Sequence, residues 1–541
     1  MINFRSTISK ANRRLPLKLA ASLLAGSSLI ASLLGLFRDR IFNSTYYLTY
    51  PTGADAYRVA FSVPDFMFII LVSGALSVSF IPVFNQRLGS GNKKSAWELS
   101  TSVMNLMAIT TLIASILIIV FAEPLVTYVV GPGLDESSRS LAISMMRVIA
   151  VSPFLFAIAT VITSMQQAVG RFTFFAMAPV VYNVGIIIGL LFFTNGINLF
   201  GWQAFEGGIM GVALGVVLGA LMQLVISALG LYGMGYDYRF KIYWKNKGFR
   251  QVLRLLPPRS LDQGIDYVNS IVETNLASRM VAGSVNAYQQ ASTLAYMPIN
   301  LIGVTISTAA FPKMTERLAE GRPDLFKSEL QTVLRVIIWL ALPVTVVAVL
   351  ARGYIVNFIV NGGDPYMANI FSILAISILF RSVYFISARS FYANQDTKTP
   401  LYISLFTIAL NITLACWFTL GLSMGVQGLA WAAVIVSFVE VSILFYVMSR
   451  RIKGMFDMSF VNAVIRMASA AGFTAIITYV TLNLFPLGAN DQSFWATFPK
   501  FALVTAVSGL SYLLFCWLFK LPEAKPVIER IVKIFFKPPK V

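Results

Sequence analysis

Apolar runs of about 20 residues follow one another almost without pause along this chain, and they limit what it can fold into. In hydrocarbon every backbone N–H and C=O must be paired within protein, which leaves helices or closed barrels. Barrel strands alternate over about 10 residues, whereas these runs are continuously apolar and twice as long. The reading is an all-α polytopic membrane protein. Its fourteen spans fall near 18–37, 56–84, 99–122, 141–167, 173–194, 208–232, 255–278, 285–312, 331–351, 367–390, 400–421, 425–448, 462–485 and 496–519. Only 12% of residues are charged, roughly half the share of a soluble domain. Arg5, Lys10, Arg13, Arg14 and Lys18 precede the first run as they would in a signal peptide, but the run is long enough to span. It is read as an uncleaved first helix.

The net charge of +19 could suggest nucleic acid, but its distribution argues against that. Arg239, Lys241, Lys245, Lys247, Arg250 and Arg254 lie between spans 6 and 7, against the single acid Asp237. Arg87, Lys93 and Lys94 follow span 2, and Arg450, Arg451 and Lys453 follow span 12. All lie on the side of the basic N-terminus, while the loop after span 3 holds Glu123, Asp135 and Glu136 against Arg139. Basic loops stay cytoplasmic, so both termini are placed in the cytoplasm. The tail PVIERIVKIFFKPPKV reads as an interfacial helix on an anionic leaflet. The chain has no histidine and no GxxxxGK[ST] loop, which excludes His-based catalysis and a Walker-type ATPase. Cys416 and Cys516 sit inside apolar runs and read as small hydrophobes.

IPVFNQRLGSG (81–91) aligns with FPKMTERLAEG (311–321) at an offset of 230, matching Pro82 with Pro312, Arg87 with Arg317, Leu88 with Leu318 and Gly91 with Gly321. Upstream, Ser77 matches Ser307. Six spans separate the copies, so two six-helix halves insert in the same orientation, related by an axis along the membrane normal. The domains expected are a first lobe at 1–234, a basic linker at 235–254, a second lobe at 255–449, and spans 13 and 14 with the tail at 450–541. Two pseudo-symmetric lobes around a central cleft make a transporter working by alternating access.

Charge inside the spans concentrates on the opening helices of the halves. Arg38, Asp39, Arg40, Asp55, Arg58 and Asp65 surround the first pair. Arg259, Asp262, Asp266, Glu273 and Arg279 lie on the seventh, where Asp262, Asp266 and Glu273 share one helical face. Ionisable groups at this depth face protein or water and mark functional sites. Arg38 and Arg40 could instead end a helix and snorkel, and Arg58 with Asp65 could be an ion pair. Pro64 and Pro298 interrupt the second helix of each half and permit kinks.

LLGLFRDRIF (33–42), GADAYRVAFSVPD (53–65), SGALSVSFIPVF (73–84), AAFPKM (309–314) and SFYANQDTKTP (390–400) make the chain resemble the MurJ (MviN) family of lipid II flippases. That family lies within the multidrug/oligosaccharidyl-lipid/polysaccharide exporter superfamily. The resemblance implies a multi-pass bacterial cytoplasmic-membrane transporter, not an enzyme and not a nucleic-acid binder. Its substrate would be lipid II or a similar polyprenyl-diphosphate glycolipid, carried by a monomer. By position Arg38 matches a cavity arginine of the family, Asp39 its acidic neighbour and Asp55 a functional aspartate. Other family cations and their acidic follower fall at Ser32, Ser62, Phe68, Ser73 and Thr293 here, so either Arg58, Arg259 or Arg279 compensates, or the head group is held differently, or the substrate differs. Glu273 and Asn411 fall near a sodium site of some members, although Ala415 lacks its second carboxylate. Glu273, Asn411 and Asp266 are therefore the candidates for Na+ or H+ coupling. The missing arginines leave a polysaccharide-unit flippase or a drug/cation antiporter as the alternative. A membrane glycosyltransferase would need catalytic residues on large loops, and these loops are short.

Overall fold

Pairing the backbone within the apolar runs makes this computed structural model nearly all-helical over the residues it describes, 12–73, 79–199, 202–488 and 491–529. Packing divides the chain into two units, Met1–Asn286 and Ala287–Val541.

The first unit holds α1 (Leu17–Phe42), α2 (Pro51–Phe68), α3 (Ile81–Gly89), α4 (Lys93–Val120), α5 (Glu136–Ile149), α6 (Ser152–Ala168), α7 (Thr173–Phe192), α8 (Met210–Leu229) and α9 (Lys247–Ser278). Between α7 and α8 a short antiparallel hairpin pairs β1 (Ile197–Leu199) with β2 (Trp202–Phe205), a departure from the all-α expectation. The division between the units falls after Asn286. Phe249 and Val252 of α9 are fully buried against Phe84, Leu99, Val103 and Met165, so the seventh helix packs with the first six.

The basic linker is tied down by a polar stripe on α4. Asn105 donates to the carbonyls of Arg239 and Lys241 at 3.0 Å, and Ser102 Oγ accepts from Tyr243 N at 2.8 Å. Asn246 donates to Ser95 O at 3.0 Å and caps α9 with its side-chain oxygen.

Helices α7 and α8 meet backbone to backbone, as small residues in membrane helices allow. A Cβ on Gly185 would lie 2.3 Å from Gly219 Cα, and one on Gly189 2.4 Å from Gly215 Cα. Gly215→Val should force the pair apart and destabilise the protein by roughly 1–3 kcal/mol, the cost of overpacking. Thermal unfolding in detergent measures this, and unfolding at the wild-type temperature would refute the packing.

The second unit continues from α10 (Ser284–Ile299), which begins at the boundary, through α11 (Thr305–Ala319), α12 (Pro323–Leu350), α13 (Arg352–Asn357), α14 (Pro365–Ala393), α15 (Lys398–Cys416), α16 (Val426–Arg451), α17 (Met458–Leu484) and α18 (Phe494–Leu518). The two C-terminal helices share its core rather than standing apart. Phe326, Leu330 and Ile337 of α12 pack in one cluster with Leu444, Met467 and Cys516. Trp339 Nε1 donates to Cys516 Sγ at 3.3 Å, and both cysteines are free. In the stretch 390–400, Asp396 accepts from the amides of Lys398 and Thr399 and from Arg451. The Thr399 hydroxyl and amide, with Arg451, hold its carboxyl well below the usual carboxylate range. The tail expected to be interfacial lies outside the described residues from 530 on.

The repeat reappears as local geometry. In the first copy Gly91 N bonds Leu88 O and Asn92 N bonds Arg87 O, each at 3.1 Å. In the second, Gly321 N bonds Leu318 O and Arg322 N bonds Arg317 O, each at 3.0 Å. Gly91 and Gly321 have φ of 76° and 69°, which a side chain would oppose. A wide π-type turn follows the interior proline in both copies, Ile69–Ser73 after Pro64 and Asn300–Val304 after Pro298.

Among the described residues, twelve helices are long and apolar enough to cross a membrane. Helix α2, within the expected second span, carries Asp55, Arg58 and Asp65, and α9, within the expected seventh, is helical throughout.

Candidate functional site

Charge in the first unit gathers where α1 ends and α2 begins. Helix α1 delivers Arg38 and Asp39 in its last two turns, then widens into a π-type turn at Asn43–Tyr47. Helix α2 starts on Pro51 and carries Asp55 and Arg58 three residues apart, which puts both near one face.

Arg38 donates from Nε and Nη2 to Asp39 Oδ1 at 3.1 and 2.9 Å, and from Nη1 to Asn183 Oδ1 at 3.0 Å. Asn183, on α7, donates in turn to Pro179 O at 3.0 Å and Ala31 O at 3.4 Å, which fixes its amide orientation. Arg58 Nη2 reaches the same Asp39 oxygen at 3.8 Å. Its Nε donates to Asn286 Oδ1 at 2.9 Å, and its guanidinium lies 5.4 Å from the Phe42 ring centre and 5.6 Å from that of Tyr57. One carboxylate thus serves two guanidinium groups, and Arg58 Nη2 has no hydrogen-bond partner among the described residues.

Asp55, expected as a cleft contact, is tied to backbone amides. It is 3% exposed, and its two oxygens accept from Gly283 N at 2.7 Å and Asn286 N at 2.8 Å. Those amides belong to the start of α10, where a helix presents unpaired N–H groups and a positive dipole end. Asn286 Nδ2 then donates to Asn43 Oδ1 at 3.0 Å, closing the network back onto the turn after α1. Asp55 therefore positions the segment that holds Arg58.

The remaining sequence candidates lie on other helices or further along α2. Arg259, Asp262 and Asp266 lie on α9, but their side chains are outside the described residues. Glu273 is half-buried on α9 and accepts from Asn269 Nδ2 at 3.0 Å. Asn411 is buried on α15 in the other unit. Asp65 is half-buried and makes no hydrogen bond or ion pair with the described residues. Where the family places cations, Phe68 packs its ring against Phe156 and the Thr293 hydroxyl bonds its own backbone at Gln289 O. Sequence reasoning missed Asn183 and Asn286. The available signal was a lone amide in an otherwise apolar run, TFFAMAPVVYNVGIIIG in the case of Asn183.

Chemically, two guanidinium groups sharing one carboxylate make a donor set that suits phosphate or carboxylate oxygens.

Comparison with known proteins agrees. The family model described as "Lipid II flippase MurJ" matches residues 45–497. The probable lipid II flippase MurJ of Bdellovibrio bacteriovorus is 26% identical over 520 residues, covering 94% of this chain and 96% of that protein. Its namesake in Thermotoga maritima is 26% identical over 502 residues, covering 92% and 95%. Among solved structures, lipid II flippase MurJ in an inward closed conformation superposes with a TM-score of 0.74 at 22% identity, covering 94% of this chain and 99% of that one. An inward-facing multidrug resistance MATE family transporter of the MOP superfamily gives 0.67 at 16%, covering 79% and 96%. These two likenesses speak to the fold. The match of the family model over most of the chain goes further, and by it this protein belongs to the lipid II flippase MurJ family, whose members are transporters rather than enzymes.

Proposed function

We propose that this chain moves lipid II from the inner to the outer leaflet, crossing the membrane fourteen times with both termini cytoplasmic. Arg38 and Arg58 hold the diphosphate as the site opens alternately to the two sides. The observation that carries this reading is the pair of guanidinium groups sharing Asp39, with an N–H of Arg58 left without a hydrogen-bond partner. A diphosphate offers more acceptor oxygens than one carboxylate and can draw both arginines onto itself. The polyprenyl tail stays in lipid. Arg259 is a third headgroup cation in this reading, and Glu273, Asp266 and Asn411 serve a coupling Na+ or H+. The spacing of the acids along α9 supports that part.

Depletion of the protein in cells that keep making lipid II tests the proposal. Lipid II should accumulate in the inner leaflet and vanish from the outer one. Undiminished outward movement, with no substitute flippase present, would reject it.

A further inference from the structure

A cavity of about 470 Å³ opens at one end of the second unit, where α12 finishes at Leu350, α14 starts at Pro365 and α17 finishes at Leu484. All three helices are long and apolar enough to cross a membrane, so this shared end lies at the level of lipid headgroups. The walls are tied down. The Tyr354 hydroxyl donates to Phe485 O, and Asn357 Nδ2 donates to Asp491 O at 2.6 Å. Asp491 Oδ2 accepts from Gly488 N at 2.7 Å and from Lys500 Nζ at 2.6 Å. The loop after α17, which contributes Pro486 and Leu487 to the lining, is thereby fastened to α13 and α18.

Among the described residues two charged side chains line the cavity, Arg352 and Asp364, both half-buried. They do not pair with each other. Arg352 makes one long hydrogen bond, from Nη1 to Val349 O at 3.5 Å, and no ion pair with the described residues. Asp364 caps α14, Oδ1 accepting from Tyr366 N at 3.0 Å and Oδ2 from Met367 N at 3.2 Å. A carboxylate has about four lone-pair sites and can accept further donors. A cation and an anion that line one cavity without bridging it suit a ligand that carries both charges. Tyr479 and Asn483 of α17 complete a wall of the kind found at headgroup level, an aromatic ring with a polar tip beside an amide. On the same helix Ile476, Val480 and Leu484, four residues apart and each more than half exposed, form an apolar strip that acyl chains can follow.

We propose that this cavity takes the headgroup of an aminophospholipid of the phosphatidylethanolamine type, Arg352 holding the phosphodiester and Asp364 the ammonium, with the acyl chains along α17. On the orientation proposed above, the lipid belongs to the outer leaflet. The site is separate from the flippase reading and does not depend on it.

Calorimetric titration of the full-length protein in detergent with dihexanoyl phosphatidylethanolamine, phosphatidylglycerol and phosphatidylcholine provides the test. Phosphatidylethanolamine should bind about tenfold tighter than the others, because the glycerol headgroup has no cation and the choline headgroup no N–H donor. R352Q should weaken phosphatidylethanolamine binding about tenfold, and R352K should recover most of it. D364N keeps a side-chain oxygen to cap α14, so it guards against local unfolding, and it should erase the preference over phosphatidylglycerol. Equal affinity of the wild type for the three lipids, or wild-type affinity in R352Q, would overturn the inference. Soluble phosphoethanolamine separates a lipid from a free zwitterion. It should bind at least about tenfold more weakly than the lipid, since it lacks the chains that α17 would cover. Affinity equal to that of the lipid would overturn the assignment to a phospholipid.

Discussion

Arg38→Ala is expected to abolish growth of a strain depleted of its lipid II flippase, while the variant protein still reaches the membrane in normal amount. Arg38 makes two bonds to Asp39 and one to Asn183. Removing it strips the site of its better-held cation and leaves Asp39 facing the incoming anion. Losing two charge-assisted hydrogen bonds, at roughly 1.5–3 kcal/mol each, would slow transport by about a hundredfold or more. Arg38→Lys keeps the charge but cannot span Asp39 and Asn183 together, so it should complement only in part. Membrane-fraction immunoblots alongside growth curves make the measurement. Full complementation by Arg38→Ala would mean that Arg38 merely ends α1.

Asp55→Ala is the second large effect, and it should show first in stability. The substitution leaves two buried backbone amides, Gly283 and Asn286, without their acceptor. Each costs roughly 1–3 kcal/mol when orphaned, so a loss of roughly 2–4 kcal/mol is expected. Asp55→Asn keeps one acceptor oxygen and should lie between. The damage reaches the site through Asn286, whose side chain holds Arg58 Nε. Thermal unfolding of the purified variants reads the effect directly. If Asp55→Ala melts with the wild type, Asp55 is not the anchor that its geometry indicates.

As a multi-span member of a bacterial flippase family, the chain belongs in the inner membrane. Much of its architecture could be read from hydropathy, because an apolar run of this length has one way to pair its backbone. Helices α2 and α9 show where that reading thins. On α2, Asp55, Arg58 and Asp65 interrupt the apolar run. The packing of the start of α9 was not legible, since Phe249 and Val252 look like any apolar pair until their partners on α3, α4 and α6 are known. In the site, Arg38, Asp39 and Arg58 were visible as charges out of place, and they do meet. The role of Asp55 was hidden because its partners are backbone amides 228 and 231 residues away, and a backbone amide leaves no mark in a sequence. Asn183 was hidden for a related reason, because one amide in a hydrophobic helix has no periodicity to betray it.

The sharing of Asp39 bears on energy transduction. Arg38, Arg58, Asp39 and Asp55 form one linked set of two cations and two anions, formally neutral when empty. Moving an elementary charge through the membrane potential is worth about 2.3 kcal/mol per 100 mV. The unloaded set can therefore reset without work against that field. On the proposed function, a bound diphosphate would make the same set anionic, and a field negative on the cytoplasmic side would drive negative charge outward, so the potential would pull on the loaded half of the cycle and leave the empty half alone.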